Sequence, residues 1–513
     1  MSQKPEYRLH IFGIGKIGRY LTEYIATTQP HFVDGHLESI HLYHRDVQEL
    51  YESENGLLLR KGNRLTGVSP DLIKIISQQE SRFAKRIWEE RHQFHPYHAL
   101  SELSSSVLGS STEKDILVLT TRYLFPKIKE KDISKRTVDH KISVEYANLK
   151  KGGADESVAN LIKELNELLK IRSNIIATSC EAVDTDELLL KKKAEIIDEQ
   201  LKLESLVQQM TTEGKIDPKR IGNIIGALWG VKEFGKYLNQ MGFRGLVINA
   251  VNPIDETSHI LRIYSGSRKI AGLCDHDRTR IHVYVEEALK SRGYKVKELY
   301  IPVVGMHNEH QRGILKESFF ITENGESKYL SEIPGFEDIW EDIHKQANVF
   351  GIREFEEFGD SASDTARAIF NNIKSYICPD SNPLKVSIYQ KVQGNDISIG
   401  IPVTYQTHQL IPAKHCLAYI TREAERNSIN SGIVYMIDLF NKLRGLGLVV
   451  GEITHESPTP MGDYRSLIKS ALSKKDSLQR KRKTIQSQTS VRDTQTAKEL
   501  RDKKIKDSLR GIR

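Results

Sequence analysis

From residue 8 onward, short runs of leucine and β-branched residues alternate with stretches whose apolar residues recur at helical spacing. Residues 9–12, 39–44 and 115–121 read as strands. The last, beginning Asp115-Ile116-Leu117-Val118-Leu119, is short and β-rich, as a strand covered on both faces should be. Residues 19–25 read as a helix after the first strand. This alternation predicts an α/β fold built on a doubly wound parallel sheet. Residues 127–217 break the rhythm. Val158, Leu161, Ile162, Leu165, Leu168 and Leu169 form one helical stripe. Leu189, Ile196, Ile197, Leu201, Leu203, Leu206 and Val207 form a second, behind a capping pair at Asp184 and Glu187. Two long amphipathic helices, a coiled-coil-like antiparallel hairpin, are expected there. The sheet resumes at 245–251, an apolar run that stops at Asn252-Pro253. Farther on, 384–393 and 396–403 read as a hairpin around Gly394-Asn395, and 413–447 as helical.

Charge changes the picture at one end. Residues 464–513 hold 16 Lys and Arg against 5 Asp and Glu, or +11, which leaves −4 on residues 1–463 of a chain whose net charge is +7. The basicity belongs to a polar tail expected to be disordered or marginally helical. Its Arg480-Lys481-Arg482-Lys483 cluster suits weak contact with nucleic acid, an acidic protein or an anionic surface, with a merely solvated tail as the plainer reading. No apolar run approaches the ~20 residues of a membrane-spanning helix. The N-terminus shows no apolar signal core. Cys180, Cys274, Cys378 and Cys416 form no C-x-x-C pair. A reduced cytoplasmic setting without a structural metal is expected.

The first strand runs into Gly13-Ile14-Gly15-Lys16-Ile17-Gly18, which opens the first helix. Strand, G-x-G-x-x-G turn and helix make a dinucleotide cradle. Gly13 permits the turn, Gly15 lets backbone approach a pyrophosphate, and Gly18 lets helix and strand pack closely. Lys16 and Ile17 lie within the cradle, and unpaired N–H groups of the helix start face the phosphates. Thr121 and Asn252, at the ends of two other strands, border the same place. The second strand ends at His44-Arg45 where an NAD site would put an acid, so NADP stands beside NAD as the cofactor.

These signals, with their order, resemble the lactate/malate dehydrogenase family over most of residues 7–455, leaving out the insert and the tail. Val251-Asn252-Pro253-Ile254-Asp255 looks like the family's Asn-Pro-Val-Asp element. Asp275-His276-Asp277-Arg278 is similar to its Asp-x-x-Arg element, and Val304-Gly305-Met306-His307 to its Gly-x-His element. Residues 385–405 are close to its C-terminal hairpin. The resemblance implies a Rossmann-type dinucleotide-binding domain over 1–265, interrupted by the insertion 127–217 in the active-site loop. A second, α+β substrate domain covers 266–463, and 464–513 is the tail. It also implies a homo-oligomer and NAD(P)-dependent interconversion of a 2-hydroxy acid and a 2-oxo acid.

In that scheme His307 is the general acid/base. Asp275 orients its ring, and Arg278 grips the substrate carboxylate through paired N–H donors. Asn252 positions the substrate or the nicotinamide. Arg220 is the lid arginine, with Arg136 as its runner-up. Arg122 is a second carboxylate contact, and Ser361 a substrate contact that equally reads as a helix cap. The insert would then enlarge the lid, for a protein partner or a bulky substrate. Asp275 and Arg278, at i and i+3, read as well as an ordinary surface pair. Two other functions stay open. One is a non-catalytic dinucleotide sensor that recruits partners, favoured by the 23-residue interval from Asn252 to Asp275 and by His44-Arg45. The other is a hydrolase like the nicotinamide-dependent glycosidases, with Cys274 and His307 or His310 holding Mn²⁺ or Zn²⁺.

Overall fold

The computed structural model describes residues 6–13, 16–29, 32, 35–44, 50–52, 58–60, 92–96, 108, 111–120, seven positions between 202 and 213, 218–267, 269–307, 310–358, 362–379, 383–392, 394–413 and 422–449. The first third of the chain gives β1 (Tyr7–Phe12), α1 (Lys16–Thr28), β2 (Leu37–His44), a small hairpin of β3 (Leu50–Glu52) and β4 (Leu58–Arg60), β5 (His92–Pro96) and β6 (Asp115–Leu119). The chain continues with α2 (Pro218–Gln240), β7 (Leu246–Asn249), α3 (Ile254–Ser265), β8 (Ile270–Leu273) and α4 (Asp275–Ser291). Then follow β9 (Val296–Tyr300), β10 (Val303–Gly305), β11 (Gln311–Gly313), β12 (Phe319–Thr322) and β13 (Ser327–Tyr329). The last elements are α5 (Phe336–Phe358), α6 (Ala362–Ile377), β14 (Leu384–Val392), β15 (Asn395–Gln406), β16 (Gln409–Pro412) and α7 (Glu423–Gly445).

The main sheet has nine strands in the order β16-β15-β14-β8-β7-β6-β1-β2-β5. The six from β5 to β8 pair in parallel. Numbered along the chain, those six run 3-2-1-4-5-6, the doubly wound Rossmann order. Strand direction follows composition: Ile116, Leu117, Val118 and Leu119 are all fully buried, as continuous apolar runs in a doubly covered parallel sheet must be. Such a sheet reverses its winding between β1 and β6, and ligands sit at the carboxyl ends of strands beside that reversal. The joining strand β5, at the far edge, carries no clear period in its sequence, His92-Gln93-Phe94-His95-Pro96.

One departure from the sequence expectation concerns organisation. The hairpin β14–β15, assigned to a second domain, instead extends the first sheet: Val386 and Ser387 pair antiparallel with Leu273 and Gly272. A separate smaller core does exist. Ile281, Val285 and Leu289 make one stripe along α4 at i, i+4, i+8 and pack with Phe336, Trp340 and Ile343 of α5. Their own three-stranded sheet is β13-β12-β9. The insert lies mostly outside the described residues. Its last part is described at a few helical positions, where Leu203, Leu206 and Met210, at i, i+3 and i+7, are buried in the main core. The tail, 464–513, lies outside the described residues. Among the described residues, no helix is long and apolar enough to cross a membrane.

Candidate active site

Three turns meet at the carboxyl edge of the sheet. The first follows β7. Asn249, fully buried, donates from Nδ2 to Thr257 Oγ1 (2.8 Å) and Ser258 Oγ (3.0 Å), and accepts from the Val251 N–H (3.1 Å). This clamp fixes the turn and leaves Asn252 half-buried, its Oδ1 shielded and without a hydrogen-bond partner among the described residues. In the first turn of α3, Asp255 accepts the His307 N–H at 2.7 Å and the Ser387 hydroxyl. A single buried carboxylate thereby ties α3, the loop after β10 and β14 together.

The second turn starts α4. Gly272 makes the approach possible, because a Cβ there would lie 2.3 Å from Ser258 Oγ and 2.7 Å from Ser387 Cβ. Cys274 stands at the N-cap position without a side-chain capping bond, and Asp275 and Asp277 follow in the first turn, where the helix dipole favours anions. Asp275 Oδ1 accepts from Arg278 Nε (2.6 Å) and from the Lys385 N–H (3.1 Å), while Oδ2 accepts from Arg278 Nη2 (3.0 Å).

The third turn carries His307. Its Nδ1 lies 2.7 Å from Asp277 Oδ2, and both side chains are buried. A carboxylate can only accept, so Nδ1 carries the proton. The other ring nitrogen, Nε2, faces Nε2 of His276 at 3.3 Å, with the rings edge to face. Asp277 Oδ2 also accepts from Lys385 Nζ at 3.0 Å, and that ammonium donates to Gln311 Oε1 at 2.7 Å. Burial alone would raise the Asp277 carboxyl, but His307, Lys385 and His276 outweigh it and hold it well below the usual carboxylate range. Burial pushes His276 well below the ordinary imidazole value and Cys274 well above the ordinary thiol value, Asp255 adding to the latter. His276 Nδ1 and Asp277 Oδ1 have no hydrogen-bond partner among the described residues.

The residues singled out in the sequence fall into three groups. His307, Asp275, Arg278 and Asn252 all lie at this edge. One pairing needs correction: Asp277, not Asp275, faces the His307 ring, and Asp275 is instead chelated to Arg278. The two acids sit two residues apart in one helical turn, about 200° apart around the axis, so each takes a different neighbour. Gly13, Lys16, Ile17, Gly18, His44 and Arg220 lie on described backbone. Gly15, Arg45, Thr121, Arg122, Arg136 and Ser361 lie outside the described residues. Arg220 stands in the first turn of α2 and His44 closes β2. Asp277, His276, Gln311, Asp255 and Lys385 went unassigned in the sequence. Asp277 stood within a quoted motif, but nothing in its spacing separated it from Asp275.

The two described glycines of the cradle, Gly13 and Gly18, suit a dinucleotide. Gly13 has φ +95°, donates its N–H to Tyr43 O (3.0 Å) and accepts Thr120 Oγ1 at 2.6 Å. A Cβ on Gly18 would stand 2.3 Å from Gly13 O, so α1 approaches β1 this closely only with glycine at that position. A divalent metal fits less well. Cys274, Asp277 and His307 each bring one ligand atom within 4.8 Å of the others, all buried. Yet the Lys385 ammonium is already hydrogen-bonded to Oδ2 of the same Asp277 carboxylate, so an ion on Oδ1 would stand one carboxylate's width from a like charge. His310 does not belong to that converging set. The donor set is right for a metal and the charge beside it is wrong.

No protein-family model and no curated protein sequence match this chain. Solved structures do. The chain is similar to malate dehydrogenase from Naegleria fowleri at 12% identity and TM-score 0.47, covering 86% of this chain and 100% of that one. It is similar to malate dehydrogenase from Plasmodium falciparum at 12% identity and TM-score 0.46, over 86% and 99%. A minor L-lactate dehydrogenase from Enterococcus mundtii matches at 12% identity and TM-score 0.45, over 87% and 99%. What this protein does is therefore read from its own side chains, and those side chains join a Rossmann-order sheet to a buried imidazole–carboxylate pair.

Proposed function

We propose that this protein is an NAD(P)-dependent oxidoreductase that interconverts a 2-hydroxy acid and a 2-oxo acid. The carrying observation is the buried His307–Asp277 pair, 2.7 Å apart, at the carboxyl edge of a sheet whose first strand ends in a glycine cradle. The nicotinamide, when bound, supplies or accepts the hydride. His307 supplies or accepts the proton at the substrate oxygen, and Asp277 holds the ring in one tautomer and stabilises imidazolium. Arg278, fixed by Asp275, offers the guanidinium for the substrate carboxylate. Asn252 Oδ1, which has no hydrogen-bond partner among the described residues, accepts a hydrogen bond from substrate or nicotinamide. Arg220, at the start of α2, is the lid arginine of this scheme. His44-Arg45 suits the 2′-phosphate of NADP, with NAD as the other choice. We place the protein in the cytoplasm as a homo-oligomer, with the insert at 127–217 and the basic tail as partner surfaces.

A second reading, a dinucleotide sensor without turnover, is favoured by one contact: His276 covers the ring nitrogen of His307 that would face a substrate. One experiment separates them. NADH and NADPH fluorescence is titrated with the protein, and a panel of 2-oxo acids is then tested for coenzyme oxidation with wild type and His307→Asn. Binding, plus turnover lost in the variant, supports the oxidoreductase. Binding with no turnover for any acid, unchanged by the substitution, supports the sensor and overturns the first reading. No binding of either coenzyme sinks both.

A further inference from the structure

We propose that Lys385 is a built-in cation that takes the place of a divalent metal at the Cys274–Asp277–His307 cluster, and that this site is closed to metal because of it. Three buried ligand atoms of the types that hold Zn²⁺ or Co²⁺ converge here, a thiol, a carboxylate and an imidazole. Here the charge arrives on the chain itself. Lys385 Nζ is fully buried, 3.0 Å from Asp277 Oδ2 and 2.7 Å from Gln311 Oε1.

The seat is built for the ammonium. Gly400 on β15, which pairs with Ser387 beside Lys385, has no Cβ; one placed there would lie 2.6 Å from Lys385 Cε and 2.7 Å from Gly305 O. Lys385's backbone N–H is held as well, by Asp275 Oδ1 at 3.1 Å. Burying an ammonium is strongly unfavourable unless it is paired and hydrogen-bonded, and Asp277 with Gln311 meets both conditions. A divalent ion on the other oxygen, Oδ1, which has no hydrogen-bond partner among the described residues, would still meet the Lys385 ammonium across one carboxylate in a dry site. Lysine therefore does a metal's electrostatic work on Asp277 without offering a Lewis-acidic centre.

The test needs neither coenzyme nor substrate, so its outcome is independent of the oxidoreductase reading. The purified, metal-stripped full chain is titrated with Co²⁺ and the thiolate–cobalt charge-transfer absorption is followed. Wild type should show no such band in excess Co²⁺. Lys385→Met, which keeps the stem and removes the charge, should bind one equivalent at least about tenfold more tightly than wild type. The new band should vanish when Cys274→Ser is added. Urea unfolding establishes that each variant is folded, and Lys385→Gln replaces the methionine variant if that one is not. A Cys274-dependent band in wild type overturns the proposal, and so does a folded Lys385 variant that gains none. If neither variant folds alone, refolding is repeated with Co²⁺ present: a fold and a cobalt band restored by the ion uphold the built-in cation, and failure of the ion to restore either overturns it.

Discussion

His307 Nδ1 and Asp277 Oδ2 lie 2.7 Å apart, although thirty residues separate them along the chain. The contact depends on two different turns being held in register. Asp255 holds the first by accepting the His307 N–H, and the dipole of α4 favours the second acid at its helix start. The acid next to the imidazole is buried, carries its charge, and is shared with Lys385.

Sharing one carboxylate between an imidazole and an ammonium makes Asp277 more consequential than Asp275. Asp277→Asn leaves the Lys385 ammonium buried without its counter-charge, which should destabilise the fold by about 3–5 kcal/mol. It also frees the His307 tautomer, and kcat for 2-oxo acid reduction should fall roughly 10³–10⁴-fold. Asp275→Asn leaves the His307–Asp277 contact in place and loosens Arg278, so its kinetic effect should appear chiefly in KM for the acid. Urea unfolding and steady-state kinetics on the two variants check this; equal kcat losses in both would contradict the assignment.

Buried neutral histidines make the fold acid-sensitive. Burial pushes His259 and His344 down to about 3. Both groups take up a proton near pH 6.5 in the unfolded chain but not in the native one. Folded pKa values depressed in this way contribute stability that is complete above about pH 6.5 and is lost as pH falls towards 3. Each group should cost roughly 1.4 kcal/mol per pH unit through that window. Urea midpoints taken between about pH 7.5 and pH 4.5 should decline accordingly. His259, whose ring meets Phe440 edge-on at 4.2 Å, can be replaced by Phe, and the decline should become shallower by one proton's worth. A flat profile would refute the argument.

A second acid effect lies lower. Asp115 at the foot of β6 is fully buried and accepts from His10, Arg8 and the Thr112 N–H. Burial opposes its ionisation, but those three donors bring it down to about 2. Its contribution, about 2–3 kcal/mol, is present above pH 4 and disappears as pH falls through 2. Asp115→Asn should lose that amount at neutral pH, read from the urea midpoint, and should flatten the profile below pH 4.

Gly18→Ala isolates the cradle. The new methyl would press on the Gly13 carbonyl, a backbone atom that can yield only if α1 moves away from β1. The fold should survive with about 1–3 kcal/mol lost. NADH or NADPH affinity should drop at least about tenfold, because phosphate recognition depends on that close approach. Unchanged fluorescence titrations would count against the cradle.

Trp340 anchors the smaller core. It is fully buried, and its Nε1 donates to Glu425 Oε1 at 3.0 Å, joining α5 to α7. Trp340→Phe keeps the ring packing but leaves that carboxylate oxygen with the Leu315 N–H at 3.3 Å as its remaining hydrogen-bond donor among the described residues. A loss of about 1–3 kcal/mol should follow, measured by urea unfolding, with little effect on coenzyme binding.

Local pattern was enough to determine the alternation of apolar runs with helical periods, the glycine turn after the first strand, the hairpin around Gly394 and a helix within 413–447, whose start at Glu423 it did not give, because each depends on neighbours within one or two turns of the chain. The same pattern brought His307, Asp275, Arg278 and Asn252 forward as candidates. Tertiary structure decided the rest. It showed that β14 to β16 continue the first sheet, since an edge strand chooses its partner by what lies free in space and not by its own residues. It decided between two acids of one helical turn, giving Arg278 to Asp275 and His307 to Asp277. It also brought Lys385 to that pair from a hairpin more than a hundred residues away, into room left by Gly400. Sequence spacing carries no record of such a meeting, because the energy of a buried charge depends on which opposite charge the fold places beside it.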